Sequence, residues 1–83
     1  MTTALTTEIK LKVLYEEDNA EGDVTAYIPA LRLGVRGDTF DEARENAKDL
    51  IAMELEEAHK QRRSIPQDTG TIEYITVSIS TDN

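Results

Sequence analysis

Apolar and polar side chains alternate along two stretches in the first third of the chain. Across Glu8–Glu16 every second residue is apolar, which predicts a half-buried β-strand. The apolar positions of this stretch are Ile9, Leu11, Val13 and Tyr15. A second strand is predicted at Val24–Ile28, halted by Pro29, which has no N–H to give to a ladder. The residues between the strands are mostly acidic and include an Asn and a Gly, so the two strands should form an antiparallel hairpin.

A helix follows a brief third strand, which is predicted around Leu33–Arg36 and would suit a sheet edge. Thr39 and Glu42 match the S/T-x-x-E capping box. In this motif the Thr39 hydroxyl accepts a hydrogen bond from the Glu42 amide, and the Glu42 carboxylate accepts one from the Thr39 amide. Apolar residues then recur every three or four positions, which predicts one buried helix face. They are Phe40, Ala43, Ala47, Leu50, Ile51, Leu55 and Ala58.

The end of the chain predicts a fourth strand. Pro66 and Gly70 are expected to stop the helix and to build a loop, and a strand should then run from Ile72 to Ser80. Both faces of this strand carry apolar side chains, which is typical of a central strand. Residues 1–7 show no period and are predicted to be a frayed leader or the first residues of a strand.

The predicted order is therefore β-β-β-α-β, an α+β fold with a single helix packed on one face of a mostly antiparallel sheet. If the fourth strand is parallel to an earlier strand, the helix is a right-handed crossover. One helix covers one face of the sheet and leaves the other to water or to a partner. The candidates for that open face are Leu14, Thr25, Tyr27, Tyr74 and Thr76.

Composition limits the partners of this small domain. The 83 residues contain 17 acidic and nine basic side chains, a formal charge of −8, which disfavours direct binding to DNA or RNA. A basic protein would suit the acidic surface, and solubility alone is the alternative explanation. The chain has no cysteine, hence no disulfide, thiolate nucleophile or Cys-type zinc site. Apolar runs are too short for a membrane span or a signal peptide, so a cytoplasmic protein without membrane contact is expected.

Candidate catalytic chemistry is sparse. His59 has no nucleophile or metal-ligating companion in the pattern and is interpreted as a cation at the helix C-terminus. Gly34–Thr39 superficially resembles a phosphate cradle, but the acidic residues around it favour a tight turn capped by Thr39. The basic cluster at Arg62 and Arg63 is interpreted as a solvated helix end. We therefore expect no catalytic residue, no cofactor and no metal, and the protein is not expected to be an enzyme.

Several motifs resemble one family. Tyr27–Leu31 reads Tyr-Ile-Pro-Ala-Leu, Gly37–Ala43 reads Gly-Asp-Thr-Phe-Asp-Glu-Ala, Asn46-Ala47 lies in the helix, and Ile65-Pro66 follows it. In this order they are similar to the HicB family of type II antitoxins. The similarity covers roughly residues 8–80 of a single domain, 1–83. It implies a partial ribonuclease H-like fold. The carboxylates of the ribonuclease H metal triad have no counterpart here, since the middle of the first strand and the fourth strand are apolar.

The resemblance implies a function as well. Such antitoxins bind a small basic mRNA-cleaving toxin, HicA-like, and cover its active site. The alternative is an orphan HicB-like domain that acts as an oligomeric interaction or regulatory protein. The chain is expected to form a homo-oligomer, a dimer or a tetramer. Family repressors carry a C-terminal DNA-binding domain, and none is expected in this chain, so autorepression through DNA is not expected.

We expect the partner to bind the acidic hairpin turn and the loop between Pro29 and Asp38. The candidate partner-binding residues are Glu17, Asp18, Glu21, Asp23, Pro29, Leu31, Arg36 and Asp38. Thr39 and Glu42 are the structural cap of the helix.

Overall fold

A computed structural model describes residues 8–82 of the chain; the prediction for residues 1–7 lies outside these residues. The elements, in order, are β1 (Leu14–Asp18), β2 (Asp23–Ile28), β3 (Leu33–Gly37) and α1 (Phe40–Lys60). Over the described range the strands form one antiparallel sheet in the order β1-β2-β3, and the helix follows. The α+β class and the antiparallel hairpin are confirmed, as is the position of the third strand at a sheet edge.

Strand β2 lies in the middle of the sheet and supplies its core. Val24, Ala26 and Ile28 alternate with more exposed residues and are buried, because their side chains point toward the helix. The helix places Ala43 and Ala47 against them, and both are buried. Half-buried apolar side chains surround this cluster, and these are Leu11, Val13, Tyr15, Leu31, Val35, Leu50 and Ile51.

The opposite face of the sheet is open. Leu14 pairs in register with Tyr27, and both side chains are exposed. The predicted members Tyr74 and Thr76 are not part of this sheet, because residues 71–82 form no strand.

The helix begins where the sequence predicts. Thr39 is the N-cap, and its Oγ1 accepts a hydrogen bond from the Glu42 amide at 3.1 Å. The reciprocal half of the capping box differs from the prediction, since the Glu42 carboxylate accepts from the Asp38 amide at 3.3 Å rather than from Thr39. The carboxylate thus satisfies the N–H one residue before the cap. Phe40, predicted to lie on the buried stripe, is exposed at the first turn.

The helix ends at Lys60, before Pro66 and Gly70, which were predicted to stop it. The Arg62 amide donates to the His59 carbonyl at 3.2 Å, and the Arg63 amide donates to the Ala58 carbonyl at 2.8 Å. With Arg62 at φ 55°, this pair of bonds is a Schellman motif, which ends the helix through its own backbone geometry.

Two strand predictions were wrong: the first strand is shorter than predicted, and the fourth is absent from the described residues. Strand β1 begins at Leu14 rather than at Glu8, because β2 ends at Ile28 and leaves almost nothing opposite the preceding residues. The predicted strand from Ile72 to Ser80 is absent from the described chain, whose residues 71–82 are exposed and pair with no other described residue. A β-strand needs a neighbour for its N–H and C=O groups, and local alternation does not supply one.

The helix of the described region is not a membrane span: it is too polar along its length for the apolar interior of a bilayer.

Candidate functional site

An open cleft of about 330 Å³ lies at the turn end of the β1–β2 hairpin, beside the start of α1. Its lining brings together acidic residues from the hairpin and from the loop before the helix. The lining residues are Glu17, Asp18, Asn19, Gly22, Asp23, Val24, Asp38, Thr39 and Phe40. We call this the acidic cleft.

The hairpin turn fixes one wall of the acidic cleft. Asp18 Oδ1 accepts hydrogen bonds from the amides of Ala20 (2.9 Å) and Glu21 (3.1 Å), which is an Asx-turn. The Gly22 amide donates to the Asp18 carbonyl at 2.7 Å, and Gly22 adopts φ 75°, a conformation suited to glycine. The Asp18 carboxylate therefore shapes the turn, a role that its position in a charged run did not indicate.

The other carboxylates of the acidic cleft differ in how far they are already paired. Asp23 is largely buried and lies 3.6 Å from an Arg36 guanidinium nitrogen, across from β2 to β3. Glu17 and Asp38 are exposed, and within residues 8–82 their carboxylates form no ion pair. These two side chains present negative charge that a partner can neutralise.

The second wall is the helix N-terminus. Thr39 Oγ1 accepts a hydrogen bond from the Glu42 amide in the first turn, and the Glu42 carboxylate accepts one from the Asp38 amide just before the cap. The partial positive charge of the helix end also favours the acidic residues Asp41 and Glu42 in the first turn. An added anion would meet these carboxylates beside the cleft and those of Glu17 and Asp38 in its lining, so the cleft favours cationic groups.

An aromatic pair stands at the rim of the acidic cleft. The rings of Tyr15 and Phe40 have centroids 4.3 Å apart and are tilted by 43°. The Arg44 guanidinium carbon lies 4.8 Å from the centroid of the Phe40 ring, within cation–π range. This aromatic and cationic group was not predicted from the sequence, in which the i, i+4 spacing of Phe40 and Arg44 was the available signal.

The structure separates the predicted partner-binding residues into two places. Four of them line the acidic cleft, Glu21 lies in its turn, and Arg36 is paired to Asp23. Pro29 and Leu31 lie in the turn at the opposite end of β2, where Leu31 packs against the core. The acidic turn and the Pro29 loop are therefore two distinct surfaces.

In the part of the chain that is described, no three His, Asp or Glu side chains converge in a group that could hold a metal ion. His59 occupies the last turn of α1, far along the helix from the acidic cleft. The arrangement suits the recognition of lysine or arginine side chains by exposed carboxylates beside an aromatic surface.

No family model, no curated protein and no solved structure matches this chain.

Proposed function

We propose that this protein is a HicB-like antitoxin domain that binds and neutralises a small basic mRNA-cleaving toxin of the HicA type. The observation that carries the proposal is the acidic cleft, whose lining includes four acidic residues, Glu17, Asp18, Asp23 and Asp38. The order of the Pro-x-Leu, Gly-Asp-Thr-x-x-Glu-Ala and Ile-Pro motifs supports the choice of family.

Electrostatics favours such a partner. A chain with charge −8 attracts a basic ribonuclease at long range, and complementary charge raises the rate of encounter while excluding acidic partners. At short range, the exposed carboxylates of Glu17 and Asp38, which form no ion pair with another described residue, can receive charge-assisted hydrogen bonds from the partner's basic side chains. The exposed part of the Phe40 ring adds apolar contact beside them.

In the same proposal, the domain acts by covering the toxin rather than by catalysis, and it binds no DNA directly. Its place of action is the cytoplasm, where mRNA is. Its fold is the partial ribonuclease H-like one, in which residues 72–80 supply the fourth strand once they are paired.

The proposal is tested by purifying the tagged protein from its native lysate at low and moderate salt and identifying co-eluting proteins by mass spectrometry. Recovery of a small basic protein whose mRNA cleavage is silenced by this chain would support it. Recovery of the chain alone at every salt concentration would contradict it and favour an orphan interaction domain.

Charge reversal at the acidic cleft gives a sharper test with the purified partner. Glu17→Lys together with Asp38→Lys should weaken toxin binding about 10-fold to 100-fold, because attraction at two contacts becomes repulsion. The matched control is Glu45→Lys with Asp49→Lys, which makes the same charge change on the exposed side of α1, away from the cleft. Equal weakening by both pairs, measured by calorimetry, would assign the effect to net charge and contradict a role for the cleft.

A further inference from the structure

The C-terminal segment, residues 71–82, has the alternating sequence pattern of a β-strand but has no neighbouring strand among the described residues. Its large apolar side chains are among the most exposed of the described residues. Tyr74 is 94% exposed, and Ile75, Val77 and Ile79 are exposed by 75%, 74% and 79%. Within residues 8–82, none of the backbone groups of residues 71–82 has a hydrogen-bond partner. Apolar side chains and unpaired backbone on one segment mark it as a surface that needs a partner.

The overall dimensions show how far this segment reaches. The radius of gyration is 17.7 Å, whereas a compact chain of this length would have about 12 Å. The longest dimension is 75 Å, against 27 and 21 Å for the other two. A fully extended segment of this length would span roughly 40 Å, about half of the long dimension, so an exposed C-terminal segment is consistent with the elongated shape.

Contacts before the segment fix the point where it leaves the body of the protein. The Lys12 amide donates to Asp68 Oδ2 at 3.1 Å, and the Lys12 ammonium lies 3.3 Å from the same oxygen. The Lys12 ammonium also donates to the Gly70 carbonyl. Residues 65–68 thus lie beside residues 8–11 of their own chain, across a groove of about 430 Å³. Beyond Gly70 the chain turns away from this sheet rather than continuing along β1.

The same chain also has a sheet edge, on β1, to which such a segment can add. Strand β1 is an edge of the described sheet, and the side of it away from β2 is unpaired. Its core-facing residue Tyr15 is only half-buried. A strand added there would extend the core face alongside Tyr15 and the open face alongside Leu14.

We propose that residues 72–80 of one copy add as a strand to the free edge of β1 in a second copy, and that the exchange is reciprocal in a twofold dimer. Among the described residues, each copy has one unpaired segment and one unpaired sheet edge, so two copies can satisfy each other's backbone groups. Ile75, Val77 and Ile79 share one face of the incoming strand and join the core side of the sheet.

The charges on β1 and on the C-terminal segment are compatible with this pairing. Strand β1 carries the acidic residues Glu16, Glu17 and Asp18, and an acidic incoming strand would be repelled. Between Glu73 and Asp82 the C-terminal segment has no charged residue, so it can lie beside that edge. The dimer does not depend on toxin binding, and it can form whether or not the acidic cleft has a ligand.

The first test is the oligomeric state of the full chain by light scattering over a concentration series. The wild-type chain should be a dimer, and Val77→Pro should raise its dissociation constant about tenfold or more, because proline removes a ladder hydrogen bond. Val77 is exposed and forms no hydrogen bond with another described residue, so the substitution should leave helix content unchanged by circular dichroism. Thr81→Pro, beyond the proposed strand, is the control and should remain dimeric. A monomeric wild-type chain, or a dimer that Val77→Pro leaves intact, would overturn the proposal.

The second test identifies the acceptor and uses the absence of native cysteine. Glu16→Cys protein is mixed with Thr76→Cys or Ser78→Cys protein carrying a larger tag, and the mixture is oxidised. A disulfide between differently tagged chains is expected, since Glu16 faces the same side of the sheet as the exposed residue Leu14. Linking of Ser78→Cys only to itself would show that two C-terminal segments pair with each other, and would overturn the assignment of β1 as acceptor.

Discussion

Gly37 sets the distance between the sheet and the helix. A Cβ at this position would lie 2.3 Å from the amide nitrogen of Ala43 and 2.8 Å from its Cα. These are backbone atoms of α1, which cannot move aside as a side-chain tip would. The absence of a side chain at Gly37 therefore allows Ala43 to pack directly on the sheet, where it is fully buried.

Gly37→Ala should lower the free energy of unfolding by about 2–3 kcal/mol, because the helix must shift to admit the methyl group. The measurement is urea denaturation followed by circular dichroism. Gly34→Ala on the same strand is the control, since its Cβ would meet the Ala26 carbonyl oxygen at a milder 3.3 Å. Equal losses in the two variants would show that the close contact at Gly37 is not what matters.

The helix is stabilised at its two ends by different chemistry. At the N-terminus two side-chain groups, Thr39 Oγ1 and the Glu42 carboxylate, accept hydrogen bonds from backbone amides. At the C-terminus the backbone closes a Schellman motif around Arg62, a residue held in the left-handed region that normally favours glycine. The second end therefore contains strain that a substitution can relieve.

Arg62→Gly should raise the free energy of unfolding by about 0.5–1 kcal/mol, because the relief of the left-handed strain exceeds the flexibility that glycine adds to the unfolded chain. Thermal unfolding by circular dichroism measures the change. Arg63→Gly adds the same flexibility at a residue without positive φ, and it should be neutral or destabilising. A gain from Arg63→Gly as large as that from Arg62→Gly would contradict the strain.

Local signals explain which elements the sequence could predict. The β2 strand and the start of α1 are specified by nearby residues, namely the alternation that ends at Pro29 and the cap at Thr39. The predicted strand at residues 72–80 depended instead on a neighbour, and alternation carries no information about where that neighbour lies. The candidate site divides in the same way. The acidic turn was visible in sequence, whereas the placement of Asp38 in the same cleft as Asp18, and the contact between Phe40 and Tyr15, required the packed fold.

On the scale of the whole molecule, a net charge of −8 is carried by a small domain of 83 residues. The ion pairs found among the described residues join Lys12 with Asp68, Arg36 with Asp23, Arg44 with Asp41 and Lys60 with Glu56. They use few of the acidic residues, and the acidic cleft concentrates others at one end. Mutual repulsion among the rest opposes folding until salt or a partner reduces it.

Raising sodium chloride from about 20 to 200 mM at neutral pH should therefore raise the melting temperature by several degrees, since a change of about 1 kcal/mol corresponds to roughly 4–8 °C in a domain of this size. Scanning calorimetry provides the measurement. Glu17→Gln with Asp38→Asn should melt higher at low salt and respond less to added salt. A double variant whose salt response equals that of the wild type would show that repulsion in the acidic cleft is minor.

The exposed segment after Gly70 also bears on how long the protein survives in a cell. Proteases bind their substrates as extended chains, and residues 71–82 are exposed and lie outside any helix or strand, so they need no local unfolding to become accessible. An unassembled copy is therefore open to cleavage at once, whereas a copy whose segment is paired must first dissociate. Turnover would then follow concentration: scarce chains would be degraded quickly, and abundant chains would protect one another.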